Sequence, residues 1–378
     1  MHDPRLDQFA KVLVRYSVNV QKDDLVVITG TTVTEPGIAA VYRQVLAAGG
    51  HPWVRITSEP CKELHLKHAR REQLLHTSPI EKHMIGTCNA YIAFWGEENT
   101  RSLSNTDPAS QALASKGRKP ILGLFLKRAA LPRKDPRRLR WVGTQMPTHA
   151  AAQDADMSLD EYAGFVFGAG KLNERNPVAA WKKLGAAQQR LCDVLNRGRE
   201  MRLRAPGGTD IRLGIKGRKW MSCSGHENFP DGEVFTGPIE DATDGTVHFT
   251  YPAVMGGREV LDVRLRFKAG KVVEAAAAKN EAFLVKMLDQ DAGARVVGEL
   301  ALGCNYAIRK FTRNTLFDEK IGGTCHLAVG AAYPETGSRN RSGLHWDMVC
   351  DLRKGGTIEV DGKIISKSGK FTSAAWPR

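Results

Sequence analysis

Leu25-Val26-Val27-Ile28-Thr29, then Gly37–Ala48, then His51–Ile56 is the stretch on which the fold turns. The first run is short, apolar and β-branched, as suits a buried strand. Gly37–Ala48 carries its apolar residues at helical spacing and stops at Gly49-Gly50, a pair suited to a helix end. His51–Ile56 reads as the next strand. Two further apolar runs, Ala90–Trp95 and Ile121–Leu126, continue the rhythm as strands. Strands alternating with helices predict a mostly parallel sheet covered by helices. The expectation is a Rossmann-like α/β N-terminal domain over residues 1–198. No G-x-G-x-x-G follows the first strand, so the sheet carries no dinucleotide signature.

Two helices lead towards the second half. Ser158-Leu159-Asp160-Glu161 is a capping box, and Asn176-Pro177 supplies a cap residue followed by proline at the first turn of a helix running to about Asn196. Beyond Gly198 the pattern changes. Thr209–Lys216 alternates apolar and polar residues, and Thr246–Tyr251, Glu259–Phe267 and Val272–Ala276 read as strands, with a turn at Lys268-Ala269-Gly270-Lys271. Asn280–Gln290 reads as a helix. Thr357–Val360 and Lys363–Ile365 form a hairpin around Asp361-Gly362. Residues 199–378 are thus expected to form an α+β domain rich in antiparallel strands.

Composition narrows the class. The chain has 378 residues, 42% hydrophobic and 25% charged, the balance of a globular protein. No run approaches the roughly 20 apolar residues that span a bilayer. The opening Met1-His2-Asp3-Pro4-Arg5 lacks the basic and apolar regions of a secretory leader, so a cytoplasmic location is expected and no membrane partner. The net charge of +14 raises the question of nucleic acid. The basic residues are widely spread, however. The densest run, Lys127–Arg140, has no aromatic platform before Trp141 and reads as a solvated loop, so no nucleic-acid partner is expected. The seven cysteines are scattered and contain no C-x-x-C pair, which argues against a disulfide framework or a cysteine zinc site.

The chemistry concentrates between residues 225 and 350. His65, His68, His76 and His83 lie in a polar stretch and read as surface residues. His226-Glu227 is followed by Asn228-Phe229-Pro230, which cannot continue the helix of an H-E-x-x-H site. His345-Trp346-Asp347, by contrast, places an imidazole and a carboxylate on one face of a strand. His326 precedes them. Glu299 stands in the apolar run Val296–Leu302, where a carboxylate is costly unless paired or bound to a cation. Glu233 follows the turn Pro230-Asp231-Gly232. Three carboxylates and two imidazoles suffice for two divalent cations, and mixed oxygen and nitrogen donors suit zinc, cobalt or manganese. Such a pair lowers the pKa of a water and polarises a carbonyl, which is hydrolase chemistry.

The segments Asn228–Pro238, Asn314–Glu319 with His326, Gly330 and Tyr333, His345–Asp347 and Gly355–Gly362 resemble, in order, the motifs of the M29 metallopeptidases, the group of aminopeptidases T and S. The likeness runs nearly end to end, from Val18–Asp24 through the helix pair at Met157–Gly168 and Asn176–Arg197. It implies an N-terminal α/β domain followed by a C-terminal metal domain, and a homodimer. It implies that Glu233, Glu299, His326, His345 and Asp347 hold two metals, and that Tyr333 lies beside them. It also implies a dinuclear aminopeptidase acting on a peptide or small amide. Water attacks the carbonyl at the metals, the Tyr333 hydroxyl steadies the oxyanion, and Glu299 carries the proton to the leaving amine. Glu319 and Glu227 are spare carboxylates for a substrate amine, and Arg339 and Arg341 are candidates for a substrate carboxylate. The segment between His326 and His345 is shorter than in well-known members, which bears on pocket shape.

Other functions are compatible with parts of this pattern. His326, His345 and Asp347 alone are a two-histidine, one-carboxylate set of the non-haem iron type. Ring-cleaving dihydroxypyridine dioxygenases resemble the same family. A metal-dependent amidase on a small molecule would use the full set. Retention of both Glu233 and Glu299 favours two metals and hydrolysis.

Overall fold

The computed structural model describes residues 3–376. Met1 and His2, the start of the segment read for a secretory leader, lie outside them. The chain divides into two compact units, one of Met1–Val178 with Gly225–Pro230 and one of Ala179–Ser224 with Asp231–Arg378.

The first unit is built on a five-stranded parallel sheet. Its order is His51–Thr57, Leu25–Thr31, Ala90–Trp95, Arg140–Gln145 and the short Asn228–Phe229. Leu25–Thr31 is paired on both sides and its five inner residues are buried, which is why it reads as a continuous apolar run. The helix Glu35–Ala47 crosses over to His51–Thr57, as its spacing predicts. Phe9 gathers the core, with its ring 5.7–6.0 Å from those of Phe94, Phe167 and Phe229. The capping box forms as expected: Glu161 N donates to Ser158 Oγ and Ser158 N to Glu161 Oε2. His65, His68, His76 and His83 are exposed.

One expected strand is absent. Ile121–Leu126 lies inside the helix Pro108–Ala129, which is capped by Asp107. A short apolar run does not distinguish a strand from a helix by pattern alone. Of this run only Ile121 is buried, while Leu122 and Leu126 are exposed, as on one stripe of a helix. The fourth long strand is instead Arg140–Gln145, directly after the basic run. Arg140 is fixed there by an ion pair of 2.7 Å to Asp24. The basic run is a solvated loop only in its middle: Lys127 and Arg128 end the helix Pro108–Ala129 and Arg140 opens the strand, while Arg133, Lys134 and Arg137 between them are exposed.

The described residues of the second unit hold two large antiparallel sheets and a two-stranded one of Ala253–Met255 and Arg258–Val260. An eight-stranded sheet runs Lys271–Ala276, Arg264–Lys268, Thr243–His248, Thr209–Gly214, Glu200–Ala205, Thr357–Val360, Lys363–Lys367 and Lys370–Phe371. Both expected hairpins are present. Ala269 and Gly270 have φ of 46° and 80°, and Asp361 and Gly362 have 49° and 78°, the primed-turn pattern that matches strand twist. The expected strand Glu259–Phe267 is broken into Arg258–Val260 and Arg264–Lys268, because Asp262 between them adopts φ 55°. The strand expected at Thr246–Tyr251 begins earlier and spans Thr243–His248.

The other large sheet has five strands, in the order His345–Asp351, Thr324–Gly330, Val297–Gly303, Glu233–Thr236 and Met221–Cys223. Val297–Gly303 and Thr324–Gly330 are buried along their whole length. A bulge at Val297/Glu299 shifts the register between them. Gly330 closes the His326 strand at φ 101°, and a Cβ there would lie 2.2 Å from the Leu344 carbonyl oxygen. Positive φ and a backbone clash together disfavour any side chain. Gly330→Ala is therefore expected to destabilise the protein by about 2–3 kcal/mol. A scanning-calorimetry melting temperature equal to that of the parent protein would contradict this.

Candidate metal centre

Residues directly paired across an antiparallel ladder stand on the same side of the sheet. Glu233 pairs with Gly303, and Ala301 pairs with both Phe235 and His326. Ala328 pairs with both Glu299 and Asp347, and Gly330 pairs with His345. With the period of two along each strand, this register puts Glu233, Glu299, His326, His345 and Asp347 on one face. The positions between them are Ala301, Gly303, Ala328 and Gly330, whose small side chains leave room above the sheet.

The five donors converge. His326 Nε2 is 3.5 Å from Glu299 Oε1 and 3.8 Å from Asp347 Oδ1. His345 Nε2 is 3.3 Å from Glu299 Oε2 and 3.4 Å from Asp347 Oδ1. Glu233 Oε2 lies 3.8 Å from His326 Nδ1. Glu233, Glu299 and His326 are buried, whereas His345 and Asp347 are part exposed, so the cluster is open on their side.

Both imidazoles are oriented by main-chain carbonyls. His326 Nδ1 lies 3.1 Å from the Glu319 oxygen and His345 Nδ1 2.8 Å from the Ala331 oxygen. With the Nδ1 protons donated there, each Nε2 carries a lone pair aimed at carboxylate oxygens. Lone pairs facing each other across 3.3–3.8 Å need a proton or a cation between them. Donor atoms about 2.1 Å from a tetrahedral ion stand about 3.4 Å apart, so the spacing suits a shared metal. Glu233 Oε2 and Asp347 Oδ1 are buried without a hydrogen-bond partner, a costly state that an ion relieves. Among the described residues, donor groups within 4.8 Å of one another include Glu233–Glu299–His326 and Glu299–His345–Asp347. The residues present therefore fit divalent metal.

The titration behaviour follows from the same crowding. Burial pushes the Glu233 carboxyl up to about 7, against the opposing pull of Lys320 and His326. Burial also acts to raise Glu299 and Asp347, but the histidines outweigh it and both carboxyls fall below their ordinary range. Burial acts to lower His345, yet Asp347 and Glu299 carry it up to about 11. Without metal, the site takes up protons in place of cations.

Tyr333 follows the His326 strand and is exposed, with its ring edge-on to His345 at 5.5 Å and to Phe235 at 5.2 Å. Burial of its phenol, then the charges of Glu299, Asp347 and Glu233, hold its pKa above the usual range, so it remains a donor. Glu319 is neither solvated nor spare. Its carboxylate pairs with Lys320, a fully buried lysine whose Nζ is also 3.6 Å from Glu233 Oε1. Glu227 belongs to the first unit, where it is exposed and 3.9 Å from Arg138. Arg339 and Arg341 are exposed. Sequence reasoning missed Lys320, because a lysine beside a glutamate reads as a surface pair.

The thermophilic metalloprotease (M29) family model matches residues 2–371. The chain belongs to the M29 family. It is accordingly a metal-dependent peptidase, a hydrolase. It is 28% identical to aminopeptidase 2 of Geobacillus stearothermophilus, covering 99% of this chain and 98% of that one. It is 34% identical to aminopeptidase T of Thermus aquaticus over 53% of this chain and 52% of the relative. Among solved structures, wild-type AmpT from Thermus thermophilus shares the fold at TM-score 0.85 and 22% identity, covering 98% and 99% of the two chains. The 2,5-dihydroxypyridine dioxygenase of Pseudomonas putida KT2440 shares it more loosely, at TM-score 0.59 and 11% identity over 97% of each chain. Among the described residues of this M29 chain, no helix is long and apolar enough to cross a membrane.

The raised pKa values set a pH dependence for the metal-free protein. A group raised on folding stabilises the fold below its unfolded pKa and loses that contribution as pH climbs through the folded one. For Glu233 the window runs from 4.5 to about 7, and for His345 from 6.5 to about 11. Metal binding needs deprotonated donors, so its affinity rises over the same range. The gap in melting temperature between metal-loaded and chelator-treated protein is expected to widen from pH 6 to pH 9. A gap that is constant with pH would argue against this account.

Proposed function

We propose that this protein is a dinuclear metallo-aminopeptidase that hydrolyses the N-terminal peptide bond of peptides. The observation that carries the proposal is the placement of Glu299. Its Oε1 faces His326 and its Oε2 faces His345, so one carboxylate serves both donor groups. Charge supports the same count. Asp231, Glu233, Glu319 and Asp347 act on the Lys320 ammonium, and Glu299 joins them beside Glu233. Two divalent cations bring that cluster to neutrality, the state a buried site tolerates best. The names of the curated relatives support an aminopeptidase.

Bound ions supply a water of lowered pKa and polarise the scissile carbonyl. With both Glu299 oxygens committed as the shared ligand, a neighbouring carboxylate of the centre takes the water's proton and delivers it to the leaving amine. Tyr333, held protonated, donates to the developing oxyanion. Substrate enters on the side where His345 and Asp347 are part exposed and Tyr333 is exposed. Zinc, cobalt and manganese all suit the mixed donors. Among the described residues no cysteine forms a disulfide, which accords with a reducing, cytoplasmic setting. Exposed Tyr42, Leu46, Trp53 and Ile56 on the first unit accord with a homodimer.

The test combines metal content with hydrolysis of aminoacyl p-nitroanilides. Two ions per chain are expected, with activity removed by chelation and restored by cobalt, zinc or manganese. Glu299→Ala is expected to abolish hydrolysis. Tyr333→Phe is expected to lower kcat by about 10²-fold with metal content unchanged. One iron per chain without hydrolysis would overturn the proposal in favour of a mononuclear oxygenase.

A further inference from the structure

Lys320 is a buried charge that this mechanism leaves unused. It follows the short helix Thr315–Asp318 and is fully excluded from solvent. Lysine is almost never fully buried unless paired. Here the ammonium contacts Glu319 directly, stands 3.6 Å from Glu233 Oε1, and feels the charges of Asp231 and Asp347. Glu233 Oε2, the other oxygen of the same carboxylate, is the one without a hydrogen-bond partner. One oxygen of Glu233 therefore faces a resident cation while the other is left for an incoming one.

We propose that Lys320 is a built-in third cation of the centre. It holds Glu233 and Glu319 in place before metal arrives, and it makes the ion on the Glu233 side the more weakly held of the two. The inference rests on the dinuclear reading and adds an asymmetry to it. Without the ammonium, the carboxylates of Glu233, Glu319 and Asp231 repel one another in the metal-free protein. With it, an ion at Glu233–Glu299–His326 shares Glu233 with a fixed positive charge, whereas among the described residues no ammonium forms an ion pair with Glu299 or Asp347, which Lys320 reaches only at longer range. Lys320 is thus a positioning residue, acting through Glu233 and Glu319.

The experiment is a calorimetric titration of chelator-treated protein with Mn²⁺, paired with melting temperatures with and without the ion. The unaltered protein is expected to bind two ions in separate steps whose dissociation constants differ at least tenfold. In Lys320→Met the weaker step is expected to tighten at least tenfold. The metal-free melting temperature should drop, and the metal-loaded one should change far less. Lys320→Gln, which keeps a polar side chain without the charge, gives the same readout should the methionine variant not fold. Two ions bound with a weaker step that neither variant alters would overturn the role of Lys320 and leave the dinuclear centre standing. A single ion bound by the unaltered protein would overturn the dinuclear reading, and this inference with it. A purely structural lysine would lower both melting temperatures equally and leave the binding steps unmoved, which also counts against the proposal.

Discussion

Carboxylates packed against imidazole lone pairs in a largely buried cluster hold together only if positive charge lies among them. That constraint organises the second unit. Glu233, Glu299, His326, His345 and Asp347 approach within 3.3–3.8 Å of one another along the cluster. Protons meet the need in the metal-free protein, which is why His345 is carried to about 11. Divalent ions meet it in a form that also does chemistry. The buried Lys320 meets part of it permanently.

The sheet beneath the cluster is built to allow this crowding. Four neighbouring strands each contribute donors to one face, and alanine or glycine fills the paired positions between. A larger side chain at Ala301 or Ala328 would fill the space that ions need. The opposite face carries the apolar packing, with Leu300, Leu302, Leu327 and Trp346 buried beneath. Orientation comes from the main chain. The Glu319 and Ala331 carbonyls each hold one Nδ1, so both Nε2 atoms face the carboxylates. Ala331 lies immediately beyond the His326 strand, and its own amide donates to Leu344 O, just before the His345 strand. The geometry of one ligand thus depends on the turn that leads from the other.

Much of this was legible in the chain. The run Leu25–Thr29 and the helix after it are local patterns, and period and capping chemistry determine them without help from distant residues. Primed turns at Ala269-Gly270 and Asp361-Gly362 are equally local. Where tertiary context decides, the pattern fails. Ile121–Leu126 is apolar enough for a strand, but its neighbours from Asp107 onward favour a helix that buries only one side of it. Arg140–Gln145 starts with a charged residue and was hidden behind a basic loop, because its place in the sheet depends on pairing with Ala90–Trp95 and on Asp24.

The sequence by itself determined the alternation of strand and helix in the first half, the antiparallel character of the second, and the family to which the donor residues point. Those features reside in period, turn chemistry and the order of short motifs, all carried by residues close in the chain. How the donors are shared emerges with the folded sheet. Glu299 divides its two oxygens between histidines on different strands, and Glu319 is committed to Lys320 instead of remaining free for a substrate amine. The reason is register. Which oxygen faces which nitrogen is set by the pairing of strands far apart in the chain, and no local pattern encodes that pairing.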